Sequence, residues 1–308
     1  MSQDSSVTPV TLPYRAPYDW QALLDFLAAR AIPGIERAGQ GVYARTISIE
    51  GRHGTVTVRH APEGEALRAE LRFPEARQEP VIAARLRHLF DLDVDPAEIR
   101  ARLASDADIA PLVRARPGLR VPGAWSGFEL AMRGILGQQI SVAAATRLAG
   151  KLVTAYGTPL MGEGETGLTH AFPAPEQLVE ADVSLVLNMP RARGAAIRAV
   201  AAACIEEPDL FAVGQGLETA VARLKALRGI GDWTAHYIAM RALKEPDALP
   251  AGDIGLMRAL DAGSGRPSPR QLLTRAEAWR PFRAYAAMHL WARDAQMETA
   301  RLTAKANR

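Results

Sequence analysis

The chain has 308 residues, 48% of them hydrophobic and 23% charged, with a formal net charge of +3. That length suits two domains, and that composition suits a soluble globular protein and excludes global disorder. One cysteine, Cys204, excludes an internal disulfide, a cysteine-ligated iron–sulfur cluster and a four-cysteine zinc site. A reducing compartment, the cytoplasm, is expected. The first residues lack the basic and apolar regions of a signal peptide, and no apolar run approaches the roughly 18 residues of a membrane span. Charge is unevenly spread: residues 1–112 carry 13 Lys+Arg against 16 Asp+Glu, whereas residues 113–308 carry 24 against 18. The basic excess is mostly arginine, whose fork matches phosphate oxygens. A coding bias toward arginine explains it equally well.

In chain order, a polar leader precedes an amphipathic helix over residues 18–32, with Trp20, Leu23, Leu24, Leu27 and Ala28 at three- and four-residue steps. Three strands are predicted at 42–49, 55–58 and 66–73. Hairpin turns at 51–54 and 62–64 separate them, and a helix over 81–90 closes the unit. From Asp95 onward strand signals vanish. Asp95-Pro96 starts a helix by the N-cap and Pro-at-N1 rule. Helices are predicted at 128–137, 142–156, 175–180, 191–205, 217–227, 233–243, 254–260, 269–279 and 283–294. Irregular Gly/Pro-rich stretches lie at 157–167 and 261–269. The expected architecture is an α+β N-terminal domain (1–94), a small antiparallel sheet with two helices, followed by an all-α domain (95–308).

The segment Leu227-Arg228-Gly229-Ile230-Gly231-Asp232-Trp233-Thr234-Ala235 joins two predicted helices. Two glycines around one apolar residue permit a tight turn, with Ile230 folding inward as a pin. Amides at Gly229, Gly231 and the new helix N-terminus then face outward, where the dipole favours an anion such as a DNA phosphate. An ordinary helical hairpin with glycine caps has the same local pattern.

The longer context resembles a family. Leu227–Ala235 is similar to the helix-hairpin-helix of base-excision DNA glycosylases. Leu249-Pro250-Ala251-Gly252-Asp253-Ile254-Gly255-Leu256 matches the loop that carries that superfamily's essential aspartate. Pro17-Tyr18-Asp19-Trp20, Leu89-Phe90-Asp91-Leu92, Arg116-Pro117-Gly118-Leu119-Arg120, Ile135-Leu136-Gly137-Gln138-Gln139-Ile140 and Trp279-Arg280-Pro281-Phe282-Arg283 resemble one branch, the bacterial 3-methyladenine DNA glycosylase II type. The likeness spans about residues 14–293. It implies a helical domain of two lobes, about 123–245 and 95–122 plus 246–308, with a cleft between them.

The resemblance makes Asp253 the catalytic carboxylate. N-glycosidic cleavage builds positive charge on the deoxyribose, and a carboxylate beneath the anomeric carbon stabilises it and positions water. An N-alkylated purine is already cationic, so its departure needs less acid help and one carboxylate can suffice. The competing role for Asp253 is to N-cap the helix at Ile254. Trp233 occupies the place where strand-cutting relatives carry a Schiff-base lysine, which implies a monofunctional enzyme. Trp233, Tyr237 and Trp291 are the implied base pocket, favouring a cationic purine by cation–π contact of about 0.5–2 kcal/mol each. The branch can carry a tyrosine after that last tryptophan. Ala292 here points to a wider or differently selective pocket. Trp125, Trp279 and Tyr285 are read as core.

Leu136 matches the family's intercalating wedge, with Gln138 as a polar contact to the orphaned partner or the backbone, although pattern alone makes Leu136 a core residue. Gly229, Ile230, Gly231 and Thr234 are the expected phosphate contacts, made through the hairpin backbone. Main-chain oxygens of Lys225, Leu227 and Ile230 match a monovalent-cation site (sodium or potassium) of related glycosylases, and no cofactor is otherwise required. The six histidines lack zinc spacing, and no dinucleotide or Walker glycine motif occurs. The expected partner is double-stranded DNA containing alkylated bases, met by a monomer, with no membrane association. Two other readings stay open: a non-catalytic helix-hairpin-helix DNA-binding protein, and a related glycosylase for deaminated or oxidised bases.

Overall fold

The computed structural model describes residues 7–160, 167–261, 263 and 265–306. The N-terminal domain is built on a five-stranded antiparallel sheet of order β1-β5-β4-β3-β2. Its strands are β1 (Thr8–Pro13), β2 (Glu36–Gly39), β3 (Val42–Ile49), β4 (Arg52–Ala61) and β5 (Ala66–Arg72). Two of these, β1 and β2, escape the sequence reading. The β3–β4 turn is also tighter than expected: Glu50 and Gly51, with φ of 49° and 73°, make the reversal, so Arg52 to Gly54 belong to β4. One sheet face presents Tyr43, Ile47, Val56, Val58, Leu67 and Leu71 to the apolar stripes of α1 (Trp20–Ala28) and α2 (Glu79–Phe90).

The second domain is helical, as expected. After α3 (Pro96–Leu103) and α4 (Ala110–Ala115) come α5 (Gly127–Leu136), α6 (Val142–Tyr156), α7 (Pro175–Leu178) and α8 (Val183–Leu187). Then follow α9 (Arg191–Glu206), α10 (Leu217–Ala226), α11 (Asp232–Arg241), α12 (Ile254–Ala259), α13 (Pro269–Ala276) and α14 (Arg283–Ala306). Asp95 caps α3 by accepting from the Ala97 amide at 2.8 Å, and Ser141 caps α6. A two-stranded ribbon, β6 (Thr158–Pro159) with β7 (His170–Ala171), crosses the stretch expected to be irregular; residues 161–166 lie outside the described residues. α5 packs on α9 and α11, while α12 and α4 pack on α14.

Buried charge joins the two domains. Glu36 of β2 and Arg45 of β3 meet Glu129 and Arg133 of α5. Arg45 Nη2 lies 2.6 Å from Glu129 Oε2, Arg133 Nη2 lies 2.6 Å from Glu129 Oε1, and Arg133 also pairs with Glu36. Tyr43 Oη donates to Glu36 Oε1 at 2.6 Å. Burial raises the Glu36 pKa, but the two guanidiniums and the hydrogen bonds outweigh it and hold the carboxyl at about 2. Alternating signs keep each charge paired, which a buried ion requires.

Two histidines, half-buried His88 and buried His289, are held neutral. Burial, with Lys244 nearby, pushes His88 down to about 4, and burial with Arg116 does the same to His289. An unfolded chain protonates both near pH 6.5, so stability is full above that pH and is lost as pH falls toward 4. A loss on the order of 2–3 kcal/mol per histidine is expected, read from urea midpoints at pH 7.5 and 4.5. A pH-independent midpoint across that window would contradict it.

Candidate active site

The helix-hairpin-helix forms as the spacing predicts. α10 ends at Ala226, Ile230 turns inward and is 5% exposed, and α11 begins at Asp232. Gly229 has a φ of +84°, and a Cβ there would lie 2.4 Å from the Ala196 Cβ. Only glycine satisfies both constraints. Gly231 is the N-cap of α11 and brings no side chain, so the first amides of that helix stay open toward solvent. Thr234 is 3% exposed, and its hydroxyl accepts from Gln138 Nε2 at 3.3 Å, so its side chain faces inward.

Asp253 sits at the centre of the expected constellation. Pro250 and Gly252 turn the chain so that the Asp253 amide donates to Pro250 O at 2.9 Å. Its Oδ1 accepts from the Leu256 amide at 3.1 Å, capping α12, and from Trp291 Nε1 at 3.0 Å. Its Oδ2 accepts from Trp233 Nε1 at 3.0 Å. Capping and the proposed chemistry therefore share one side chain, held by two indoles from different helices. Arg258 of α12 pairs with Asp294 of α14 at 2.6 Å, tying the helix that carries the aspartate to the one that carries Trp291.

The three pocket aromatics come together. Trp233 and Tyr237 stack with centroids 5.1 Å apart and planes 10° apart, as residues four apart on one helix face must. Tyr237 meets Trp291 edge-on at 6.5 Å. They border a cavity of about 260 Å³, small for a ligand cleft and suited to a single heterocycle. Trp279 and Tyr285 are core, as read from sequence, bonded to Asp106 and Asp91. Trp125 is also nearly buried, yet it borders the same cavity.

The other wall is less expected. Leu27, Arg30, Glu36 and Arg45 of the N-terminal domain line it, together with Glu129, Arg133 and Arg241. Arg30 stands 3.7 Å over the Phe26 ring, and its charge acts on the Tyr237 phenol. Arg241, buried, donates to that hydroxyl and to the carbonyls of Pro122 and Gly123. Burial raises the Tyr237 phenol pKa, but Arg241 and Arg30 outweigh it and the net shift is downward. A helix-end arginine gave no sequence signal for this role, because only closure of the two domains brings Arg30 to the cavity.

The wedge assignment needs correction. Leu136 is fully buried, within the last turn of α5 and among the core residues, so it has no outward face to insert. The exposed tip lies beyond it, at Gln139 with a φ of 61° and Ile140 at 37% exposure. Gln138 is also diverted: its amide nitrogen donates to Gly229 O at 2.9 Å, latching this loop to the hairpin. Leu136→Ala is accordingly expected to cost about 2–5 kcal/mol of stability and leave base release at 20 °C unchanged. Gln139→Ala should leave the urea midpoint unchanged and weaken binding to a duplex holding an abasic-site analogue.

Known proteins match the chain over both domains. A family profile described as the AlkA N-terminal domain matches residues 9–126, and one described as HhH-GPD superfamily base excision DNA repair protein matches residues 132–284. DNA-3-methyladenine glycosylase 2 of Escherichia coli is 35% identical over 286 residues, covering 91% of this chain and 96% of that protein. The chain belongs to the HhH-GPD superfamily of base excision DNA repair proteins. A relative from Mycobacterium tuberculosis, a probable bifunctional transcriptional activator/DNA repair enzyme AlkA, is 41% identical over 91% of the chain. The chain spans 56% of that protein's length. Among solved structures, the 3-methyladenine DNA-glycosylase of Archaeoglobus fulgidus superposes with a TM-score of 0.80 at 25% identity, over 93% of this chain and 98% of that one. Among the described residues no cluster of His, Cys, Asp and Glu forms a metal site, and no helix is long and apolar enough to cross a membrane.

Proposed function

We propose that this protein is a monofunctional DNA glycosylase that takes alkylated bases of the 3-methyladenine and 7-methylguanine type out of duplex DNA and hydrolyses their N-glycosidic bond. The observation that carries this reading is Asp253, bound through both carboxylate oxygens by the indoles that border the cavity. With the base in the cavity, the carboxylate faces the sugar, where positive charge grows as the bond breaks. Water then adds to C1′, and the electron pair of the broken bond leaves with the base. Trp233 has no amine to trap the sugar as a Schiff base, so the strand is left intact with an abasic site.

The open amides at Gly229 and Gly231 and the N-terminus of α11 offer the site for a DNA phosphate. Gln139, at the exposed loop tip, takes the wedge role that Leu136 cannot fill. Among the described residues, the carbonyls of Lys225 and Ile230 accept no hydrogen bond from the turn, and Leu227 O accepts the Ile230 amide alone. This donor set fits a monovalent cation, which would lend positive charge beside the phosphate. The protein acts as a monomer on chromosomal DNA, in the bacterial cytoplasm at the nucleoid.

Incubating methylated DNA with the protein should release free 3-methyladenine and 7-methylguanine, measured by chromatography. Binding to duplex DNA without release would leave only a DNA-binding protein. Release confined to hypoxanthine or 8-oxoguanine would favour a glycosylase for deaminated or oxidised bases.

A further inference from the structure

The cavity is electrically polarised. Of its basic side chains, Arg45 and Arg133 are neutralised by Glu36 and Glu129. Arg30 and Arg241 are different: among the described residues neither makes a salt bridge to a carboxylate. Arg30 Nη1 donates to Phe26 O at 3.1 Å, and Arg241 to main-chain carbonyls. Both guanidiniums lie over the Phe26 ring, at 3.7 and 4.9 Å; Arg241 donates to the Tyr237 hydroxyl, and both charges act on that phenol. Tyr237 stacks on Trp233, and Trp233 holds Asp253. Through this chain of contacts the pocket runs from a carboxylate at the sugar end to two uncompensated guanidiniums beyond the aromatic ring.

We propose that Arg30, supplied by the N-terminal domain, is a specificity-determining residue that speeds departure of the base and shifts selection from cationic toward neutral bases. The inference rests on the glycosylase reading above. When the C1′–N bond breaks, its electron pair moves onto the base nitrogen and the sugar becomes positive; water oxygen then bonds C1′ and releases a proton to solvent. A neutral base leaves as an anion and a cationic base leaves neutral. One unit of negative charge moves toward the guanidiniums in either case, so the field favours the bond-breaking step for both.

Binding separates the two classes. A cationic base is repelled by Arg30 before cleavage and relieved during it, so the gain in rate is offset by weaker capture. A neutral base feels no such repulsion when it enters. For charges roughly 10 Å apart at an effective dielectric near 20, one guanidinium changes the rate about tenfold.

The test uses single-turnover base release by the full chain from two duplexes, one with a single 7-methylguanine and one with a single hypoxanthine. Arg30→Met is expected to slow the chemical step about tenfold on both duplexes. The half-saturating protein concentration should fall for 7-methylguanine and stay constant for hypoxanthine. Second-order efficiency then drops about tenfold for hypoxanthine alone. Arg30→Lys, which keeps the charge, should restore the rate. Arg30→Gln provides a polar second variant if the methionine protein is poorly folded by circular dichroism. Equal loss of efficiency on both duplexes, an unchanged rate on both, or no rescue by lysine would overturn the role of Arg30. Absence of base release by the wild type would overturn the glycosylase reading instead.

Discussion

Asp253→Asn should lower base release about 10³-fold or more while leaving affinity for an abasic-site analogue intact. Removing one preorganised electrostatic group from a transition state costs about 10²–10³-fold, and here the group removed carries a full charge. Asparagine keeps the size and one acceptor oxygen, so the cap on α12 survives. With the oxygen kept at the cap and at Trp291 Nε1, the new amide faces the indole donor Trp233 Nε1, which now binds the other carboxylate oxygen. That indole loses its partner. The pocket is therefore expected to loosen slightly on the side of the displaced tryptophan. Asp253→Leu adds loss of the cap and should cost a further ~0.5–2 kcal/mol of stability. Measuring release rate, abasic-analogue binding and urea midpoint on both variants separates chemistry from architecture. Equal rates for wild type and Asp253→Asn would remove Asp253 from catalysis.

Glu129→Ala should destabilise the fold by about 3–5 kcal/mol, the cost of breaking a buried ion pair from one side. Glu129 is 4% exposed and accepts from Arg45 of the sheet domain and Arg133 of its own helix. Without it, two guanidiniums share the one remaining carboxylate, Glu36. Since domains hold only about 5–15 kcal/mol in total, the loss should appear as a large drop in urea midpoint. Arg133 Nη1 also donates to Arg30 O at 2.8 Å, so the damage should reach the pocket and reduce base release even where the protein stays folded. Glu129→Gln, which keeps an acceptor, should cost less. A midpoint unchanged in Glu129→Ala would show that the charges are not paired across the domains.

Local chemistry made much of the helical domain legible. Ser141 and Gly157 bracket α6, Asp95-Pro96 starts α3, and the Gly-Ile-Gly turn forms between α10 and α11. Non-local pairing hid the rest. β1 carries Pro9 and Pro13 and gains its ladder only from β5, more than fifty residues away. α14 continues to Ala306, well past the apolar pattern that ends near Asp294, because Ala, Glu, Met, Gln and Arg sustain an exposed helix by propensity.

The site divides in the same way. The roles of Asp253, Trp233, Tyr237 and Trp291 came from the family resemblance, and local spacing added only that Trp233 and Tyr237 share one helix face. Leu136 follows the core role that its pattern indicates and departs from the wedge role that the resemblance implies, because the turn that holds it packs inward. Arg30 lies in a stretch that resembles the branch but carried no role, since its place at the cavity depends on a domain contact that no local spacing records.

The central claim is hydrolysis of the glycosidic bond without strand cleavage, and one mass balance tests it. A duplex carrying a single 7-methylguanine is incubated with excess wild-type protein. Free base, aldehyde-reactive sites and strand breaks are then counted from the same reaction before any alkali. Equal amounts of free base and abasic site, with no breaks, are expected. No free base, or breaks that rise in step with the base released, would contradict it.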